Sequence, residues 1–390
     1  MQNLFSDEVR RQPFDIYRQM RKSSPVFHVP PPFDGWMIFD YAAVKWALND
    51  HETFSSRVPA PPNWFIFTDP PNHTKLRALI SQAFTPRMVA NLEPRIREIS
   101  GELLDRVMAR DEMDLVADYS TPLPMRVISE MIGMPPEDLP LFQRWSNTIL
   151  KLSYTRAGGE DAASALQAFM AAAAEMRDYL EEVQPKDNLL AQLRAAEVDG
   201  ARLTREEILG FFQLLVVAGQ ETTTGLLNNA VLCLMENPGE LEKLRRDMDQ
   251  LPSAIEEVLR YRSPLQWMMR TPRRDVEVHG TLIPAGKLVL PMIGSANHDE
   301  AQFTEPDRFD IRRDPNAHVA FGHGIHFCLG APLSRLEARI GLTDILQRFR
   351  HFEPAGGEAW KPRPALHVYG PASLPVRFEL QQAPPRAAVP

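Results

Sequence analysis

Between Thr204 and Pro238 the chain can run as one uninterrupted helix, and no other stretch restricts the fold as much. Thr204 followed three residues later by Glu207 forms a capping box, in which the two residues satisfy each other's backbone N–H groups. The next proline is Pro238, so about 31 residues, ~46 Å of helix, are permitted. A helix of that length crosses a whole globular domain. It does not suit a membrane, because "FFQLLVVAGQETTTGLLNNAVLCLM" is interrupted by Gln213, Gln220, Glu221, Asn228 and Asn229. It is expected to lie buried in protein, with polar groups at its middle.

That middle, "AGQETTT", loses helix propensity at Gly219 and at three consecutive threonines. The Thr222 hydroxyl can reach the Ala218 carbonyl four residues back and bend the helix, and Gly219 lets another group approach the backbone. A groove rimmed by an acid, Glu221, and an alcohol, Thr222, suits proton delivery to a bound ligand. A glycine for helix packing, with exposed threonines beside it, is the plainer alternative.

Around this helix the pattern is mainly α with a small β region. Helical periodicity predicts helices near 41–50, 72–83, 89–109, 120–131, 137–152, 161–182, 238–247, 252–261 and 331–348. Residues 26–39 read as a β-hairpin, and "DVEVHG", "KLVLPM" and "LPVRFEL" as later strands. No linker divides the chain, so a single domain over 1–380 is expected, followed by a disordered tail at 381–390. The first residues contain no apolar run of signal or anchor length, and a net charge of -8 disfavours nucleic acid. A cytoplasmic protein with neither membrane anchor nor nucleic-acid partner is expected.

Two sets of charges stand out. Glu257 and Arg260 lie three apart on one helix among apolar residues, and Arg308 follows in "EPDRFDIRR", so a buried Glu/Arg/Arg network can form. His73, Arg77, Arg270 and His326 are separate donors that could clamp anionic carboxylates, or could each lie on an ordinary polar surface.

Of the two cysteines, too few for a disulfide framework or a four-thiolate zinc site, Cys233 in "AVLCLM" reads as a small core hydrophobe. Cys328 differs. In "FGHGIHFCLG", Gly322 and Gly324 permit a tight loop, Gly330 removes bulk, and "APLSRLEARI" then begins a helix. A cysteine at a helix N-terminus has its thiolate favoured and its pKa depressed, which makes it a nucleophile or a metal ligand. A nucleophile would need a base such as His323 or His326. A single thiolate on haem iron fits better, with glycines allowing close approach of the flat macrocycle.

These residues together resemble the cytochrome P-450 superfamily. "FGHGIHFCLG" is similar to its haem-binding motif, "AGQET" to its oxygen-activation stretch, "EEVLR" to its E-x-x-R motif, "PDRF" to the segment supplying a third charge, and "HTKLR" to its haem-carboxylate helix. The five occur in the family's order, and the likeness to the soluble bacterial branch runs from about residue 10 to 380. The resemblance implies a prism-shaped fold with the long helix over haem b. It makes Cys328 the proximal iron ligand and His73, Arg77, Arg270 and His326 the partners of the haem carboxylates. Phe321, Gly322, Gly324 and Gly330 would pack against the thiolate and the macrocycle. Glu257, Arg260 and Arg308 would form the structural network behind it.

On the other face, Ala218 and Gly219 would border the haem, with Gly219 leaving room for dioxygen, and Glu221 and Thr222 would relay two protons. Glutamate stands where many members have aspartate. The implied activity is insertion of oxygen from dioxygen into a small hydrophobic substrate, with electrons from a separate ferredoxin and its NAD(P)H-supplied reductase, because no flavin or iron–sulfur domain follows. Arg335 and Arg339 are candidates for the docking patch. Trp64, Phe65, Phe67, Leu214, Val217, Leu265, Trp267 and Met268 are candidate pocket walls. A haem-thiolate sensor, a peroxide-driven oxidase and a thiol enzyme are the alternatives.

Overall fold

A computed structural model describes residues 6–31, 34–57, 64–155, 162–183, 188–356 and 360–381. Of the tail expected at 381–390, residues 382–390 lie outside them, as does part of the proline-rich segment before Trp64.

The predicted central helix is Arg205–Glu236, and both halves of its capping box form: Glu207 N–H donates to Thr204 Oγ1 at 3.2 Å, and Thr204 N–H to Glu207 Oε2 at 2.7 Å. It is apolar on nearly every side, as a helix buried on all sides must be. Around it pack the helices Glu93–Asp105, Pro122–Ile132, Leu139–Thr155, Ala162–Glu182, Leu251–Tyr261 and Ala331–Arg348, which share its main apolar core. The hairpin pairs Val26–Val29 with Gly35–Ile38, and Leu288–Pro291 adds a parallel third strand. This sheet and the helix Tyr41–Asn49 carry a second, smaller core. A second three-stranded sheet joins Phe349–Pro354, Pro375–Leu380 and Glu112–Asp114.

The helix expected at 89–109 is two, Pro86–Asn91 and Glu93–Asp105, because Pro94 favours the first turn of a new helix rather than the interior of an old one. Four further helices were not among those expected: Asp7–Arg11, Phe14–Ser23, Leu189–Ala195 and Ile293–Ala296. Phe14–Ser23 buries only Tyr17 and Arg21, and Arg21 is anchored by the carbonyls of Ser295 and His298. Among the described residues, no helix is long and apolar enough to cross a membrane.

Candidate cofactor site

The loop ahead of Ala331–Arg348 is shaped by its backbone. Gly324 has φ of 70°, and a Cβ there would lie 2.8 Å from Asn49 Oδ1 and 3.0 Å from Asn49 Cα, so only glycine fits. Cys328 N–H closes the loop on the Phe321 carbonyl at 2.9 Å. The Cys328 thiol accepts from the backbone N–H groups of Gly330 and Ala331, as expected of a helix start. Its pKa, however, is raised rather than depressed: burial outweighs the pull of Gly330, Arg77, Ala331 and Arg335. Burial also pushes Cys233 up to about 12, which leaves it inert.

Arg335 and Arg339 do not form a free basic patch. Arg335 grips Glu256 at 2.7 and 2.8 Å and lies 4.5 Å above the Phe321 ring, fixing that ring beside the cysteine loop. Arg339 donates to Glu93 at 2.9 Å.

Next to this loop the four expected donors come together. The rings of His73 and His326 are 4.1 Å apart, and His73 Nε2 and both His326 ring nitrogens are buried without a hydrogen-bond partner. Burial, then the charge of Arg77, lowers His73 to about 4; burial, then His73 and Arg270, lowers His326 to about 3. Arg270 is lowered to about 10 by burial, with Asp69 opposing, and its guanidinium donates to the adjacent Met269 carbonyl. Arg77 reaches across to the Phe327 carbonyl at 2.8 Å. Buried ring nitrogens without partners, set beside two guanidinium groups, suit an anion with several oxygens. With Cys328 alongside, this set fits haem and its two carboxylates.

The central helix meets the same loop. Thr222 Oγ1 donates to the Ala218 carbonyl at 2.9 Å, as the sequence suggested. Between Ile208 and Leu234 only Ala218 is exposed, with Leu215, Val217, Gly219 and Thr222 partly so, and these mark the open face of the helix. Thr223 bonds Ser334 at 3.3 Å, in the first turn after the cysteine loop, and Thr224 bonds the Ser120 carbonyl at 3.0 Å.

Two expectations about this helix need correction. A Cβ on Gly219 would lie 2.8 Å from Ile128 Cδ1, so Gly219 admits the helix Pro122–Ile132, and the open position is Ala218. Glu221 is buried in ion-pair contact with Arg363 at 2.5 Å, turned away from the open face. Arg363 was not singled out from the sequence, since nothing local to either residue signals so distant a pairing.

Behind the site, Glu257 and Arg260 pair through two hydrogen bonds of 2.8 Å, fully buried. The third charge is Arg313 rather than Arg308. Arg313 Nε donates to Glu257 at 3.1 and 3.2 Å, whereas the Arg308 side chain points outward to Glu305 and Asp310, and only its carbonyl turns inward.

Of the candidate pocket walls, Trp64, Phe65, Phe67, Leu214 and Val217 belong to the main core. Trp64 donates to Gln213 Oε1 at 3.3 Å and stacks on Phe67. Leu265 and Met268 pack on the second core. Trp267 goes elsewhere, lining a separate cleft with Tyr17, Phe39 and Gln266 and packing near His367.

The chain has many relatives. The cytochrome P450 family model matches residues 125–374. Cytochrome P450 109 of Bacillus spizizenii is 40% identical over 97% of this chain and 95% of that one. Cytochrome P450 monooxygenase PikC of Streptomyces venezuelae is 37% identical, covering 94% and 91%. The crystal structure of CYP109E1 from Bacillus megaterium in complex with testosterone is 40% identical, with TM-score 0.85 and coverage of 94% and 99%. A cysteine loop, an unsatisfied set of buried donors and a notched central helix, found together in a chain with such relatives, place this protein in the bacterial cytochrome P450 monooxygenase family.

Proposed function

We propose that the protein holds haem b and oxidises a small hydrophobic substrate of steroid-like character, using dioxygen and two electrons from a ferredoxin and its reductase. Cys328 would hold the iron, and His73, Arg77, Arg270 and His326 the haem carboxylates. The bound haem supplies the oxygen-activating redox chemistry.

The chain's own residues supply shape and protons. The observation that carries the reading is the Ala218–Thr222 notch beside the cysteine helix. Ala218 keeps this face low, and Thr222 presents a hydroxyl whose oxygen can accept a proton from the interior and pass on its own. Glu221, the next residue back, is held by Arg363 away from that hydroxyl. Trp64, Phe65, Phe67, Leu214 and Val217 exclude water and favour an apolar molecule. The testosterone complex of CYP109E1 supports a steroid as the first probe.

Reduced protein exposed to carbon monoxide should show the strongly red-shifted Soret band of thiolate ligation, lost in Cys328→Ser. Testosterone should shift the Soret band of the oxidised protein, and silence across a steroid panel would defeat the substrate assignment. Thr222→Ala should still bind substrate while diverting electrons to peroxide; unchanged coupling of electrons to product would remove Thr222 from the proton route.

A further inference from the structure

Asp69 is a fully buried carboxylate with no part in the reading above. Its Oδ2 accepts from Ser55 Oγ and from Arg273 Nη2, both at 2.6 Å, and its Oδ1 from Ser56 N–H at 2.9 Å. Arg57 Nε lies 3.6 Å away. The Asp69 carbonyl accepts His73 N–H at 3.0 Å, one helical turn on. Arg273 follows Arg270 by three residues, and the Thr271–Pro272 strand between them pairs with Phe54–Ser55. Asp69 is therefore fastened both to the segment bearing His73 and to the one bearing Arg270.

An acid is an odd choice here, because the site is to receive two carboxylates and a third negative charge opposes them. Its field reaches the cradle: Asp69 favours the charged forms of His73 and Arg270 against the burial that disfavours them. Both carboxylate oxygens are used, Oδ2 by Ser55 and Arg273 and Oδ1 by Ser56, so hydrogen bonding and charge have to be told apart by a variant that removes a bond and keeps the charge. Arg273 supplies the compensating cation, and its side chain is 43% exposed. The negative member is thus fixed inside while the positive member sits at the surface.

We propose that Asp69 and Arg273 form a charge-balancing pair that sets how positive the haem-carboxylate cradle is, and with it haem retention and the ease of reducing the iron; this rests on the cradle reading above. Asp69 is the standing counter-ion of Arg270, and Arg273 offsets it once the cofactor's carboxylates arrive. Both are positioning residues that act through the cradle.

The test is a pair of variants that break the same ion pair from opposite sides. Asp69→Asn removes a negative charge and should slow haem transfer to excess apomyoglobin and raise the reduction potential. Arg273→Gln removes a positive charge and should hasten transfer and lower the potential, each release rate changing on the order of tenfold for a partly screened unit charge. The double variant should return toward the wild type, and Ser55→Ala, which removes a hydrogen bond but no charge, should leave the potential in place. Shifts of the same sign in the two single variants, or a double variant that does not return, would overturn the proposal. If Asp69→Asn fails to fold, Arg273→Gln alone decides, because slower release or a raised potential contradicts it. Arg270→Gln separates the two layers. If it does not hasten release, the cradle assignment falls and takes the proposal with it; if it does, while the other variants misbehave, only the charge pair falls.

Discussion

Two buried clusters of charge flank the cysteine loop, and they differ in how completely their hydrogen bonds are used. In the Glu257 cluster, Arg260 directs all its N–H groups to acceptors: the two Glu257 oxygens and the carbonyls of Asn297, Pro306 and Arg308. Arg313 is nearly as fully engaged, on Glu257 and the carbonyls of Thr304, Glu305 and Arg308. In the His73 cluster three buried ring nitrogens have no partner at all. Charge and burial are common to both. Unsatisfied donors separate a site that awaits a ligand from one that only holds the scaffold.

The sharpest way to break this contrast is to open the closed cluster. Glu257→Ala strands two buried arginines and should cost about 3–5 kcal/mol in urea unfolding. A cost similar to that of an exposed pair would show the cluster was never closed. The open cluster should answer in the reverse sense: His326→Ala should leave the stability of the haem-free protein nearly unchanged while weakening haem binding by roughly 10–100-fold, the loss of one or two good hydrogen bonds to a carboxylate.

Acid separates the open cluster from the neighbouring Glu256–Arg335 pair by pH window. For Glu256, burial works against its charge, but Arg335 and His318 prevail and hold it at about 2. Its stabilisation is complete above the ordinary 4.5 and is lost as pH falls from there toward 2. His73 is lowered from 6.5 to about 4, so below 6.5 the unfolded chain takes a proton that the folded one refuses. Haem-free protein should therefore weaken between about 6.5 and 4, and haem carboxylates beside His73 should remove that upper loss. Unfolding midpoints against pH, with and without haem, check both; an upper loss that survives haem loading would place the carboxylates elsewhere. The smallest effect is expected of Arg308→Ala, within about 0.5 kcal/mol because its side chain pairs only at the surface, well below Arg313→Ala.

The sequence made the closed cluster partly legible and misplaced one member. Glu257 and Arg260 share a helix, so spacing alone puts them on one face. Arg308 and Arg313 lie in an irregular segment, where no period states which side chain turns inward. The central helix was visible because its capping box and its next proline are local signals. Gly219 and Ala218 are adjacent on it and point in different directions, but which of them meets a neighbouring helix depends on Ile128, far away in the chain. Glu221 and Arg363 were unreadable as a pair for the same reason, whereas the cysteine loop was legible because its glycines, its cysteine and the hydrogen bond that closes it lie within ten residues.

The three consecutive threonines divide their labour by direction. Thr222 turns back on its own helix, Thr223 ties that helix to the one following the cysteine, and Thr224 ties it to the segment at Ser120. For directed evolution these neighbours are not equivalent targets. A library that randomises position 222 samples new reactivity on an intact frame, whereas diversity at 223 or 224 fills the same library with misassembled clones.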